Sequence, residues 1–203
     1  MSSNYYKLGM LPPNIVENFK KEILKNKIFN KNYYWIQFNE CLEEMFLSLF
    51  KSLPLKIQFN PETNRRVQKI FYSNPGYGYR IHKDGIKCKS ALNIAISANE
   101  SDWVRWYSDD VIYNLENNDI KVSNVWGYSR DTNLKEYEDI PYIDELKTIS
   151  GMVYILDVDK FHSFKCNGPE PRIIIQTKFE NFPSLLELKE KINFSLFKNI
   201  ERI

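Results

Sequence analysis

Apolar positions along the chain change period twice, from helical to strand-like and back to helical. Behind Pro12 and Pro13, the residues Ile15, Phe19, Ile23 and Leu24 recur at helical spacing, and proline suits a first helical turn, where its missing N–H costs nothing. This predicts a first amphipathic helix. A second is predicted from about Asn39 to Phe50, with Met45, Leu47, Leu49 and Phe50 following Glu40, Glu43 and Glu44. Acidic residues favour a helix N-terminus through the macrodipole, and Pro54 marks the stop.

From Arg65 the period shortens. Arg65-Arg-Val-Gln-Lys-Ile-Phe-Tyr and Tyr79-Arg-Ile-His-Lys-Asp-Gly read as strands on either side of the turn cluster Ser73-Asn-Pro-Gly-Tyr-Gly. Ser90 to Ser97 alternates strictly, with Leu92, Ile94 and Ile96 on one face and Ala91, Asn93 and Ala95 on the other. Asp102-Trp-Val-Arg-Trp-Tyr, Gly151-Met-Val-Tyr-Ile-Leu-Asp and Pro171-Arg-Ile-Ile-Ile-Gln-Thr-Lys-Phe are further strands, the last two bracketing Phe161-His-Ser-Phe-Lys-Cys-Asn-Gly. Pro183 and Ser184 open a closing helix that carries Leu185, Leu188, Ile192 and Leu196. Between Asp109 and Lys147 the chain is polar, acidic and weakly periodic, with short strand candidates near Val111 and Val122; long excursions over the mouth of the core are expected there.

Helices at both ends with short strands between them predict a mainly β fold with flanking α, a β-sandwich or jelly roll buttressed by N- and C-terminal helices. One domain over 1–203 is expected, with helical support in 1–64, the β core in 65–180 and a C-terminal helix in 181–203. Composition adds little to this. The 203 residues carry 28 Lys and Arg against 26 Asp and Glu, a net charge of +2 that gives no nucleic-acid footprint. Cys41, Cys88 and Cys166 are an odd number without CxxC spacing, which predicts neither a disulfide framework nor a cysteine zinc site. With no apolar run of membrane-spanning length and no apolar signal core in Met1-Ser-Ser-Asn-Tyr-Tyr-Lys, a cytoplasmic protein without a membrane partner is expected.

The candidate chemistry lies in the histidines, of which there are two. One stands in His82-Lys83-Asp84, where residues two apart on a strand project to the same face and offer an imidazole beside a carboxylate. The other is His162, which a sandwich can bring back beside that pair. Two histidines and one carboxylate on one side of a metal, with open positions opposite, is the arrangement of non-haem Fe(II) oxygenases. Arg172 opens an apolar strand, and a guanidinium among isoleucines calls for an anionic partner because a buried unpaired charge is strongly destabilising. Trp103, Trp106 and Trp126 read as core and loop anchors, Cys88 and Cys166 as small hydrophobes, and the lysines of Lys20 to Lys31 as a solvated helix face.

On these residues the sequence resembles the Fe(II)- and 2-oxoglutarate-dependent oxygenases, and among them the prolyl-hydroxylase-like group. The resemblance rests on His82-Lys83-Asp84, His162, Arg172 at the family's interval after the distal histidine, and Phe71-Tyr-Ser-Asn-Pro-Gly-Tyr-Gly-Tyr-Arg-Ile-His, where Tyr72 precedes the first ligand by ten residues. It covers about Val67 to Phe179. What the resemblance implies is a double-stranded β-helix in which His82, Asp84 and His162 hold Fe(II). Arg172 would meet the 5-carboxylate of 2-oxoglutarate, with Tyr72 and Asn93 as further co-substrate contacts. The implied reaction couples O₂ and decarboxylation of 2-oxoglutarate to succinate with oxidation of a C–H bond in a primary substrate, a prolyl peptide or a small molecule. Asp84 stands where related halogenases replace the carboxylate, so hydroxylation or oxidative demethylation is expected. Two other readings are a cupin-type metalloenzyme that binds its substrate directly on the metal, which Arg172 disfavours, and a non-catalytic binding protein on the same fold.

Overall fold

The alternation in Ser90–Ser97 is where the architecture begins, because this strand is buried on both faces and each face belongs to a different layer. The computed structural model describes residues 3–25, 33–36, 39–52, 69–84, 88–117, 139–179, 181 and 183–191. Among them the elements in chain order are β1 (Tyr5–Met10), α1 (Pro13–Lys25), β2 (Tyr33–Ile36), α2 (Glu40–Ser52), β3 (Lys69–Ser73), β4 (Gly78–His82) and β5 (Ser90–Ser97). There follow β6 (Trp103–Trp106), α3 (Asp109–Asn117), β7 (Asp144–Lys147), β8 (Met152–Asp157), β9 (His162–Lys165), β10 (Arg172–Lys178) and α4 (Leu185–Lys191).

The strands form two antiparallel sheets, one ordered β1-β8-β5-β10-β3-β2 and the other β4-β9-β6-β7. From β3 onwards the chain crosses between them as it proceeds, with β3, β5, β8 and β10 in the large sheet and β4, β6, β7 and β9 in the small one. That zigzag, made once from β3 to β6 and reversed from β7 to β10, is a double-stranded β-helix. Leu92, Ile94 and Ile96 of β5 face outward to a layer formed with Val153, Ile155, Ile173 and Ile175, onto which α1, α2 and α4 set Val16, Phe19, Ile23, Leu42, Phe46, Leu49, Leu185 and Leu188. Ala91 and Ala95 face inward with Val104, Trp106, Tyr154 and Ile174. Small side chains there leave room between the sheets.

Local chemistry starts the helices where the pattern predicts. Asn39 caps α2, its side-chain oxygen accepting the Leu42 N–H at 2.8 Å. Before α4, Ser184 and Glu187 form a reciprocal capping box: the Glu187 carboxylate accepts the Ser184 N–H at 2.6 Å and the Ser184 hydroxyl accepts the Glu187 N–H at 3.2 Å. The buried faces differ from those expected. Val16 enters the core from α1 with Ile15 packed against it while Leu24 is exposed, and Leu42 and Phe46 enter from α2 with Met45 packed against them.

Other departures concern short elements. β1, β2, β7 and β9 were not expected as strands; each gains its place by pairing with a neighbouring strand. Val111 lies on a helix, not a strand: α3 packs Val111, Ile112 and Leu115 on Ile81, Tyr107, Ile140 and Phe161. Both ends of the expected excursion are thus built into the fold beside His82 and His162, while Val122, Trp126, Ile192 and Leu196 lie outside the described residues. The described cysteines are all free, Cys88 and Cys166 being buried. Among the described residues no helix is long and apolar enough to cross a membrane.

Asp102 fastens two turns at the end of the barrel away from the histidines. Fully buried, it accepts the N–H groups of Asn167 at 2.8 Å and Gly168 at 2.9 Å through one oxygen and that of Asn99 at 2.9 Å through the other. The turns touch so closely that a Cβ on Gly168 would collide with the side-chain amide of Asn99. Asp102→Ala leaves three N–H groups without their acceptor, the buried one of Gly168 among them, and is expected to cost about 2–4 kcal/mol in urea denaturation, with Asp102→Asn intermediate because it keeps one acceptor. A loss below about 1 kcal/mol for Asp102→Ala would contradict this role.

Candidate metal centre

His82 and His162 are partners across the antiparallel pair of β4 and β9, and their ring centroids stand 4.3 Å apart. β4 carries an irregularity on the way: Tyr79 pairs with Phe164 and His82 with His162, so two residues, Arg80 and Ile81, stand between these pairs on one strand against one, Ser163, on the other. This bulge brings both Tyr79 and His82 to the inner face. Asp84 arrives differently from the simple strand alternation expected of it. β4 ends at His82, and the Asp84 N–H is tied to the Val158 carbonyl at 3.0 Å, which returns its carboxylate to 3.5 Å from His82 Nε2. Ligand atoms of His82, Asp84 and His162 all lie within 4.8 Å of one another, a group able to hold one metal ion.

Both imidazoles are oriented by the backbone. His82 Nδ1 lies 2.9 Å from the Arg80 carbonyl and His162 Nδ1 lies 2.9 Å from the Lys160 carbonyl. A carbonyl only accepts, so each Nδ1 carries the hydrogen and each Nε2 is left with a lone pair, the tautomer a metal ligand needs. Electrostatics agree. Burial, and then the neighbouring His82, push His162 down to about 4, so it is neutral at neutral pH. Burial would raise Asp84, but the contact with His82 and the proximity of His162 outweigh it and hold the carboxyl at about 2.

Deeper in the barrel the inner face carries polar groups that the protein leaves unsatisfied. Arg172 is 4% exposed, Asn93 2% and Tyr154 0%, yet Arg172 Nε, Asn93 Nδ2 and Tyr154 OH have no hydrogen-bond partner within bonding distance among the described residues. Asn93 and Tyr154 are cross-strand partners, and the charge of Arg172 acts on the Tyr154 phenol, whose pKa burial raises. The guanidinium lies over the Phe164 ring, 4.7 Å from its centroid, and Phe164 in turn stacks with Tyr79 at 6.0 Å. Tyr79 meets His82 edge-on at 4.7 Å. An aromatic wall therefore runs from the histidines to the arginine. Unsatisfied donors buried beside a cation make a cradle that fits a carboxylate.

Of the six residues expected to form the site, the structure brings His82, Asp84 and His162 together and sets Arg172 and Asn93 on the inner face below them. Tyr72 is not among them. Its register partner is Ile173, and both face the helices in the outer layer with Phe19 and Leu92, so the co-substrate contact expected of it is not available from where it stands. Tyr154 occupies the inner face instead. Nothing in the apolar run Met152 to Leu156 sets it apart except parity with Met152 and Leu156, which share its face.

Protonation gives the centre a pH signature. Unfolded, His162 takes a proton near its ordinary 6.5, and folded only near 4, so between these values the unfolded chain binds more protons and stability falls as pH drops. Asp84 acts in the same direction lower down, its contribution present above 3.8 and lost as pH falls towards 2. Metal-free protein is expected to melt at progressively lower temperature from pH 6.5 to 4, and His162→Gln to lack that slope. An equal slope in the variant would contradict the burial of a neutral His162.

No family model matches this sequence, and no curated protein does. Solved structures do. HygX from Streptomyces hygroscopicus with nickel and 2-oxoglutarate bound is 11% identical and superposes with a TM-score of 0.60 over 90% of this chain and 85% of that one. The same protein with nickel, 2-oxoglutarate and hygromycin B bound gives 0.54 at 11% identity, again over 90% and 85%. With iron bound it gives 0.53 at 9% identity, over 88% and 83%. At such identities the likeness is one of backbone path, and it extends beyond the barrel to the supporting helices. The chain has the double-stranded β-helix fold, which its resemblance to the Fe(II)- and 2-oxoglutarate-dependent oxygenases implied.

Proposed function

We propose that this chain is a non-haem Fe(II)- and 2-oxoglutarate-dependent oxygenase that oxidises a C–H bond of a second substrate, with hydroxylation as the reaction. The observation that carries the reading is the coincidence of two sites on one inner face: a His82, Asp84 and His162 group in which each Nε2 keeps its lone pair, and below it a buried Arg172 whose Nε has no acceptor among the described residues. Iron bound at the first site supplies, with O₂ and 2-oxoglutarate, oxidative decarboxylation to succinate and the oxidising power for the substrate.

The protein's own residues do the positioning. His82, Asp84 and His162 would hold the metal and leave its other positions open to co-substrate and O₂. Arg172 receives the 5-carboxylate through parallel N–H···O bonds, and the Tyr154 phenol, kept protonated by burial, donates alongside it. Asn93 adds an amide donor from the neighbouring strand. Tyr79 and Phe164 wall off water along the co-substrate's carbon chain, and Ala91 and Ala95 leave the space it fills. Asp84 fills the position that halogenation requires vacant. HygX holds 2-oxoglutarate together with hygromycin B, so a small-molecule second substrate suits this architecture. Free thiols at Cys41, Cys88 and Cys166 accord with a reducing, cytoplasmic setting.

The test is succinate formation from 2-oxoglutarate with Fe(II) under air, screened with and without candidate substrates; none with any of them, in protein that binds Fe(II), would overturn the assignment. Arg172→Ala is expected to weaken 2-oxoglutarate binding by about a hundredfold to several thousandfold, the cost of breaking a buried charge-assisted pair. Arg172→Lys should recover part of this, and Fe(II) affinity should stay the same in both. Titration without oxygen, following the charge-transfer absorbance, measures the change. Equal affinity in wild type and Arg172→Ala would favour the cupin-type alternative, with substrate held on the metal alone.

A further inference from the structure

The turn between β8 and β9 touches two of the three residues of the metal centre. Its Val158 carbonyl accepts the Asp84 N–H at 3.0 Å, and its Lys160 carbonyl stands 2.9 Å from Nδ1 of His162. What holds the turn comes from elsewhere in the chain. The Lys160 ammonium donates to Asn4 Oδ1 at 2.7 Å and lies 3.7 Å from an Asp157 carboxylate oxygen. Asn4 is itself buried, which commits the ammonium to that place, because a buried amide oxygen needs its donor. Further contacts fix Asn4: the Asp144 carboxylate accepts its backbone N–H at 2.8 Å and its side-chain amide at 3.2 Å, and its carbonyl accepts the Asp157 N–H at 2.9 Å.

Asn4 joins the edges of the two sheets. β1, which follows it, ends the order of the large sheet, and β7, which Asp144 opens, ends that of the small one. The brace continues inward: Tyr5 stacks on Trp106 at 5.8 Å, and the indole N–H of Trp106, the register partner of His162, donates to the Asp157 carbonyl at 2.7 Å. The start of the turn is thus tied from two directions. An outer partner that holds the second nitrogen of a ligating imidazole sets both its tautomer and the aim of its lone pair. For His162 that partner is a backbone carbonyl, only as steady as the turn that carries it, whereas the carbonyl that serves His82 belongs to Arg80 within β4. We infer that Asn4 and Lys160 are positioning residues of the metal centre: their contact holds the β8–β9 turn so that the Lys160 carbonyl keeps the hydrogen of His162 on Nδ1 and the Val158 carbonyl keeps Asp84 in reach. This rests on the reading of the centre proposed above and gives the segment before β1 a part in it.

Imidazole nitrogen resonances of the metal-free protein at mildly alkaline pH test this directly, because the nitrogen that carries the hydrogen is distinguished from the one that does not. In the wild type His162 is expected as the Nδ1–H tautomer alone. Asn4→Ala and Lys160→Met should each add a population with the hydrogen on Nε2 of His162, leave the His82 signals unchanged, and weaken Mn(II) binding about tenfold, as loss of an outer partner does. Lys160→Arg, which can still donate to Asn4, should restore both readings. Lys160→Met leaves Asn4 on Asp144, so its result decides should Asn4→Ala fail to melt cooperatively. An unchanged His162 tautomer or unchanged Mn(II) affinity in Lys160→Met would overturn the inference, and so would equal disturbance of His82, which would show general loosening of the fold. Wild-type protein that takes up no Mn(II) would overturn the reading of the centre itself, and that outcome is seen separately from the ring signals.

Discussion

β4 and β9 come from distant parts of the chain, and their antiparallel pairing sets His82 opposite His162 with both rings on the inner face. Everything at the centre follows from that register. Shifting the pairing by one residue would send one histidine to the opposite face, and the backbone carbonyls of Arg80 and Lys160, which fix the two tautomers, would no longer stand where they do. The surrounding fold secures the register: β9 is held on its other side by β6, α3 packs Ile112 on Ile81 and Phe161, and Asp102 clamps the turn that follows β9.

The barrel interior shows a second constraint. A protein designed only for stability would fill that face with aliphatic residues, as the outer face of the same sheet is filled. Here it holds Arg172, Tyr154 and Asn93, each with a buried donor that has no acceptor among the described residues, an arrangement that costs on the order of 1–3 kcal/mol per group. Stacking on Phe164 offsets part of the cost for the guanidinium. An anionic ligand would supply the missing acceptors, and its binding would stabilise the fold in proportion to its affinity.

Much of this was legible in the sequence, for physical reasons. With only two histidines and one H-x-D triplet, few combinations of a two-histidine, one-carboxylate site exist, and a lone arginine among isoleucines is costly enough to mark itself. The strict alternation of β5 disclosed both faces of the large sheet. Tyr72 misled because its interval before His82 says nothing of which face it takes, and pairing with Ile173 put it among the helices. The bulge that turns Tyr79 inward is equally invisible, since it depends on the partner strand. Four-residue strands such as β7 and β9 are too short for periodicity to show. In α3, by contrast, a signal was present: Val111, Ile112 and Leu115 keep helical spacing behind Ser108, whose hydroxyl accepts the Val111 N–H at 3.3 Å.

Diffraction from crystals grown with Mn(II) and 2-oxoglutarate, using the anomalous signal of the metal, tests the central claim most directly. The account predicts one strong peak about 2.0–2.3 Å from His82 Nε2, His162 Nε2 and an Asp84 oxygen, with 2-oxoglutarate reaching from it to Arg172. A metal bound elsewhere, or a co-substrate whose far carboxylate turns away from Arg172, would contradict it.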